Sequence, residues 1–498
     1  MVSRAVLGLS SDELDERRWQ SADWTSLSAA LLFAGERRME AENYLSGGYG
    51  IRLAIEACDS GWSRLGEFAT IWQPARLKGI QVTAEHGTPF LAATQMLSAR
   101  PFARKYLSLD RTDDHARRFV NGGTILVTCS GNVGRCCLAR AVHREHLVSH
   151  DLLRVEPRRA QTWGWLYAYL RSPQVRAMMT AARYGHIIKH LEVEHLEALP
   201  IPELPDSLLI EFNDMAEQLL EMRNRTDELF QEAEQTYADF IGVPECEADP
   251  EERFVLPASQ LFGGRRRLEA AYHSPLVEAV LKRVRSRGLR TDQLSHVTER
   301  VWWMNRFKRV FGENGAPYMS ADELFSLNPI ISKRVMLEQA DNADDFVVRA
   351  GWIMMARSGQ VYGLNGSVAL MTASHESVFL SDDFIRIIPR TSQIRPGYLV
   401  MALSHPRLGR PLVIRNAYGT SIPHLDPADV SAIPIVRMGS ETEACIADMV
   451  EEAAELRSNA DQLENALTTR AEATIDRFIE GAAMRDSCVG VPSDESDV

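Results

Sequence analysis

Two stretches of the chain carry apolar residues at alternating spacings of four and three. Leu208, Phe212, Met215, Leu219, Met222, Thr226, Leu229, Ala233, Thr236 and Phe240 make the first stripe. Ile446, Met449, Ala453, Leu456, Ala460, Leu463 and Leu467, with Phe478 further on, make the second. That spacing lays one apolar seam along a coiled-coil-like helix. Neither stretch has an internal Pro or Gly, Ser440 and Glu443 have capping-box spacing, and Gly242 and Gly481 stand where helices end. At 1.5 Å per residue each helix runs to about 50–60 Å, more than a core beside it needs. Small Ala453 and Ala460 against larger Leu219 and Thr226 predict close antiparallel packing. Candidate helix–helix or partner contacts are Met215, Leu219, Met222 and Leu229 with Met449, Leu456, Leu463 and Leu467.

Elsewhere the pattern changes to short apolar runs bounded by Gly, Pro or Asp. Thr124 to Val127, Leu152 to Val155, Trp352 to Met355 and Phe384 to Ile388 read as strands. Trp163 to Arg171, Val175 to Ala182 and Tyr398 to Leu403 read as short helices. Strands mixed with helices predict an α+β fold.

The two halves of the chain align in order, with offsets that drift only between 228 and 234. Gly87-Thr88-Pro89-Phe90 answers Gly315-Ala316-Pro317-Tyr318, and Ser130-Gly131-Asn132-Val133-Gly134 answers Ser358-Gly359-Gln360-Val361 with a later Gly363. Asp151 to Val155 answers Asp383 to Ile387, and Tyr184-Gly185, Ile188 and His190-Leu191 answer Tyr418-Gly419, Ile422 and His424-Leu425. Ordered matches at nearly constant spacing mean a tandem duplication. The expected organisation is a globular domain at 1–205, a long helix at 206–242, a second domain at 243–437, a second helix at 438–481 and a disordered acidic tail at 482–498. Two similar α+β domains are thus separated by two long antiparallel helices.

Charge follows the same division. The chain has a net charge of −13, yet residues 206–242 hold ten acids against two bases and 441–480 hold eleven against three, while 1–205 carries +3 and 254–440 carries +7. Basic domains on acidic helices suit a DNA-contacting body mounted on solvated or partner-binding supports. No run of about 20 apolar residues is present to cross a membrane, and the start has no apolar leader. Seven scattered cysteines fit reduced thiols in a cytoplasm and lack the paired spacing of a zinc site.

Candidate chemistry is sparse. The Ser130–Arg135 turn lacks the Gly-Lys-Ser/Thr ending of a phosphate loop. No His-Glu-x-x-His, no paired acids in a motif context and no adenine-methylating Asn-Pro-Pro-Tyr/Phe appear, so no catalytic or metal-ligating residue is assigned. His186, His190 and His195 cluster with Lys189, but only His190 has a counterpart, which points to a structural or phosphate-contacting role. A turn with a fixed frame and different exposed residues in the two copies suits a reading loop, as it also suits a plain tight turn. Arginine-rich stretches lie among aromatics, and arginine favours bidentate contacts to phosphates and guanine edges. The candidate DNA-binding residues are Ser130, Asn132, Arg135, Arg104, Lys105, Tyr184 and Lys189 in the first half. In the second they are Ser358, Gln360, Tyr362, Arg306, Lys308, Arg309, Tyr418 and Thr420.

Over residues 30 to 480 the chain resembles the specificity subunits of type I restriction-modification systems. The resemblance rests on the duplicated Arg-x-x-Ala-x-x-Tyr-like entry (Arg38 to Tyr44; Arg267 to Tyr272), the Gly-Thr/Ala-Pro-aromatic step and the Ser-Gly-x-Val-Gly turn. The Tyr-Gly-x-x-Ile-x-His-Leu segment and the Leu/Ile-Pro-Ile exit into a long helix complete it. It implies two target-recognition domains on double-stranded DNA and long helices that dock two methyltransferase subunits. It further implies adenine methylation with S-adenosylmethionine held by those partners, and restriction by a separate translocase. Helix length would then set the distance between two read half-sites, although the second helix is four residues longer between Leu463 and Phe478 than the first between Leu229 and Phe240. Two other classes remain open: a DNA-binding scaffold or specificity protein of another phage-defence system, and a self-contained enzyme, which the missing cofactor motifs disfavour.

Overall fold

The computed structural model describes Tyr44 and residues 47–59, 61–182, 190–244, 254–262, 267–306, 308–336 and 346–488. Two compact units divide the chain, one taking 1–97, 101–221 and 462–498, the other 98–100 and 222–461. Each unit therefore holds one body with a part of both long helices.

In unit 1 the chain runs through helix α1 (Gly48–Glu56), then strands β1 (Trp62–Arg64), β2 (Ala69–Trp72), β3 (Gln81–Val82), β4 (Thr88–Leu91), β5 (Lys105–Leu107), β6 (Ile125–Thr128), β7 (Cys136–Leu138), β8 (Leu147–Val148) and β9 (Leu152–Pro157). Helices α2 (Trp163–Arg171) and α3 (Pro173–Ala182), strand β10 (Pro200–Pro202) and the long helix α4 (Asp206–Ile241) follow. The principal sheet has the order β2-β9-β6-β7 and a second has β3-β5-β4-β8, with β1 paired to β10. Every residue of β6 and β7 is buried. Sheets covered on both faces need continuous apolar strands, which is why β6 reads as a short run without alternation.

Unit 2 repeats the plan. Helix α5 (Pro275–Ser286) precedes β11 (Thr291–Gln293), β12 (Thr298–Trp303), β13 (Phe311–Met319), β14 (Arg334–Val335), β15 (Ile353–Ala356), β16 (Val368–Leu370), β17 (Phe379–Leu380) and β18 (Phe384–Pro389). Helices α6 (Pro396–Ser404) and α7 (Arg410–Ile414), strand β19 (Pro434–Val436) and the second long helix α8 (Ser440–Cys488) complete it. Its sheets are β12-β18-β15-β16, β14-β13-β17 and β11-β19. The parallel pair β4–β8 joins Phe90 to Leu147 and Leu91 to Val148, and its counterpart β13–β17 joins Tyr318 to Phe379 and Met319 to Leu380. Even an unusual buried cation is duplicated. The Arg154 guanidinium donates to the carbonyls of Val148, Ser149 and Leu152, and Arg386 donates to those of Leu380, Ser381 and Phe384.

The long helices meet antiparallel. In unit 1 Arg470 donates to both carboxylate oxygens of Glu211 at 2.8 and 3.0 Å. In unit 2 Arg223 reaches Asp461, while Ala233, Tyr237 and Ile241 share a core with Ile446, Ala447 and Val450. Leu219, Leu229 and Leu467 are buried, and Met215, Met222, Met449, Leu456 and Leu463 are half-buried. Gly242 ends α4 at φ +77, its N–H bonded to Ala238 O at 2.7 Å. The capping box expected at Ser440 and Glu443 takes another form, because Ser440 is already helical and Gly439 precedes it at φ +87. Glu443 instead accepts the Met438 N–H at 2.8 Å and binds the Arg437 guanidinium. Beyond Gly481 the helix continues to Cys488, into the stretch expected as a disordered tail, and 489–498 lie outside the described residues.

A glycine fixes each body to its long helix. A Cβ on Gly164 would stand 2.3 Å from Phe212 O of α4, and one on Gly397 would stand 2.5 Å from Ala447 O of α8. Their N–H groups are capped from the same helices, Gly164 by Asn213 Oδ1 at 2.6 Å and Gly397 by Glu451 Oε1 at 3.0 Å.

His405 in unit 2 makes a pH prediction. It is 5% exposed, its Nδ1 accepts the Arg407 and Leu408 N–H groups, and burial holds its pKa down at about 4. An unfolded histidine protonates near pH 6.5, so the stabilisation is complete above that pH and is lost as pH falls toward 4, at about 1.4 kcal/mol per pH unit. Urea denaturation at pH 7 and pH 5 should therefore show a larger loss for the wild-type chain than for His405→Gln. Equal losses would refute the assignment.

Candidate nucleic-acid interface

In unit 1 strand β6 ends in a turn whose frame is hydrogen-bonded throughout. The Thr128 hydroxyl donates to Asn132 O at 2.6 Å and accepts the Arg135 N–H at 2.9 Å, closing the loop on itself. Gly131 and Gly134 supply the φ values of +67 and +81 that such a reversal needs. Ser130 Oγ donates to Asp151 Oδ1 at 2.9 Å, Cys129 N–H to Asp151 O at 3.0 Å and Leu191 N–H to Cys129 O at 2.9 Å, while a backbone bridge joins Ser130 to His190. Gly131 and Asn132 are exposed at the tip, and Ser130 and Arg135 are half-buried. Burial and then Asp151 push the Cys129 thiol up to about 12, so this cysteine is no nucleophile near neutral pH.

The same frame recurs in unit 2 with different contents. Ser358 Oγ donates to Asp383, Ser358 is bridged to His424, and Leu425 N–H donates to Arg357 O at 2.9 Å. Where Gln73 touches Cys129 in unit 1, the Arg357 guanidinium here lies 4.1 Å over the Trp303 ring. Arg410 fixes the loop by donating to the carbonyls of Val361, Gly363 and Asn365, and Asn365 donates to those of Gly359 and Pro423. A hairpin from Tyr418 to His424, closed by paired N–H and C=O groups at 2.8 and 2.9 Å, stands beside the turn. Gln360 Nε2 reaches across to Ser421 O at 2.9 Å. Tyr362 is 63% and Ile422 58% exposed, and Tyr418 and Thr420 are exposed as well.

Ser130, Asn132 and Arg135 thus share one turn, and Ser358, Gln360, Tyr362, Tyr418 and Thr420 one surface. Arg306 and Arg309 reach that surface from its edge through Asp382, the neighbour of Asp383; Arg306 is 87% exposed and Lys308 beside it is also exposed. Lys105 opens strand β5 of the second sheet of unit 1 and Arg104 directly precedes it, both exposed, with Arg104 5.3 Å over Phe102. Tyr184, His186 and Lys189 lie outside the described residues. Motif reading passed over Asp151 and Asp383, Thr128, Asn365 and Arg410, which hold the turns in place. Only the two aspartates left a signal, as an aligned pair following the aligned serines.

Solved structures with some likeness include a type I restriction-modification S subunit from M. genitalium, 15% identical, with coverage of 85% of this chain and 96% of that one and a TM-score of 0.34. The HsdS subunit from Thermoanaerobacter tengcongensis is 14% identical over 85% of this chain and 98% of its own, at a TM-score of 0.26. A structure described as the basis of complex assembly and conformational transition of the type I R-M system gives 15%, 85%, 98% and 0.26 in the same order. No family model and no curated protein matches the chain.

Proposed function

We propose that this chain is a sequence-reading subunit of a type I restriction-modification complex, which binds an asymmetric, bipartite double-stranded DNA target. One observation carries the reading. The same Ser-Gly turn, tied to the same aspartate and histidine positions, occurs once in each unit, and the residues at its exposed tip differ. Two copies of one frame with different contents read two different half-sites. Phosphate contacts from arginines such as Arg306 would set register, and polar tips such as Asn132 and Gln360 would meet base edges. Methyl transfer to adenine, and cutting where it follows, would be the work of partner subunits. Two methyltransferase subunits bearing S-adenosylmethionine would dock on the long helices, and a translocating nuclease would join them.

Selection of duplexes by the full-length chain from a random library tests the proposal. The expected product is two dissimilar short elements separated by unread base pairs. A chain exchanging the 357–363 and 418–424 loops for the corresponding unit 1 segments should change one element and leave the other. Random DNA that competes as well as selected DNA would mark the chain as a non-specific scaffold.

A further inference from the structure

The two turns share one chemical feature at their tips. The second residue after the bridged serine is a carboxamide in both units, Asn132 in one and Gln360 in the other, and both are exposed. Turn geometry does not demand this. The glycine just before each carries the positive φ, +67 at Gly131 and +116 at Gly359, and the only described non-glycine residues with positive φ are Asp114 and Asn328. Asn132 therefore sits in backbone that most residues adopt, and glutamine is not among the residues that dominate turns. Nor is the group consumed by the fold. Among the described residues the Asn132 carboxamide makes no hydrogen bond, its backbone carbonyl alone being held by Thr128. The Gln360 amide spends one N–H on Ser421 O, which leaves its second N–H and its carbonyl oxygen open.

A carboxamide with one free N–H beside one free C=O matches a single base edge in the major groove. Adenine offers N7 as acceptor and N6–H as donor at that spacing, whereas guanine offers two acceptors. We infer that Asn132 and Gln360 each read one adenine, one in each half of the target, and that the Ser421 contact orients Gln360 before DNA arrives. Thr128 in unit 1, and Arg410 with Asn365 in unit 2, are positioning residues that hold the backbone under each carboxamide. The inference rests on the proposed function and adds base identity to it.

The test is duplex selection by full-length wild-type, Asn132→Ala and Gln360→Ala chains, with circular dichroism to confirm folding. Each variant should lose preference at one A·T pair in one half and keep the other half intact. Placing 7-deazaadenine at that pair should weaken the wild-type chain about tenfold to a hundredfold and leave the matching variant unaffected. Gln360→Glu, which keeps the shape but only accepts, should move the preference toward cytosine. Variant profiles identical to wild type, a lost preference at a G·C pair, or uniform weakening would each overturn the inference alone. A wild-type chain that selects no sequence would overturn the proposed function along with it.

Discussion

Glu464→Ala should cost unit 1 about 3–5 kcal/mol of stability, the largest loss expected from any single side-chain truncation described above. Glu464 is 4% exposed on α8, where it accepts the Tyr167 hydroxyl and pairs with Arg171 at 3.0 Å. Burial works against the charge on Arg171, but Glu464 outweighs it and holds the pKa above its usual range; a guanidinium keeps its proton even without such a partner, so it stays charged when Glu464 is cut away. An unpaired buried cation then remains, with one donor still on Cys136 O at 3.0 Å. Urea denaturation of the full chain, followed by Trp fluorescence, measures the effect. Removing both charges as Glu464→Leu with Arg171→Met should recover most of the loss, since a buried pair replaced by apolar groups of similar volume is close to neutral. A double variant no better than the single one would mean that packing, rather than the stranded charge, sets the cost.

Gly164→Ala should come next, at about 1–3 kcal/mol or somewhat more. The obstacle at 2.3 Å is the Phe212 carbonyl of α4, main chain of a 36-residue helix, and cannot rotate away as a side chain could. Relief requires α2 to lift from α4, which also stretches the Gly164 N–H bond to Asn213 and separates Trp165 from Phe212, whose rings now lie 5.0 Å apart. Gly47→Ala, at a site where nothing lies within 4 Å, provides a comparison in which only positive φ is penalised. A melting temperature for Gly164→Ala no lower than that of Gly47→Ala would show that the helices give way more easily than their packing suggests.

These positions also mark where sequence reading stops. The duplication was visible because cores and turns repeat residue type at fixed spacing, and the long helices because an apolar seam at alternating spacings of four and three falls on one face only in a helix. Buried polar anchors leave no such trace. Glu464 looks like one more acid on an acidic helix, and only the arrival of Arg171 and Tyr167 from α2 gives it a partner. Beside it Leu463 is half-buried although it falls on the apolar seam. Arg154 and Arg386 align between the halves, yet their burial among backbone carbonyls depends on strand pairing that no local pattern encodes. At the tips the difficulty is opposite. Ser130 and Ser358 were legible as a repeated turn, but the support beneath them differs, a threonine in one unit and Arg410 with Asn365 in the other. Frames repeat because the fold requires them; supports need only perform the same task.

The division of the chain between the units bears on its synthesis. Unit 2 is contiguous from Met222 to Asp461 apart from a three-residue strap, whereas unit 1 closes on residues from Gln462 onward. On the ribosome the first body must wait, with Tyr167, Arg171 and Gln174 lacking their α8 partners, until nearly all of the later-made unit has emerged. The half translated first is thus the half finished last, and a released chain ending near Asp461 would carry a complete second body attached to an unfinished first one.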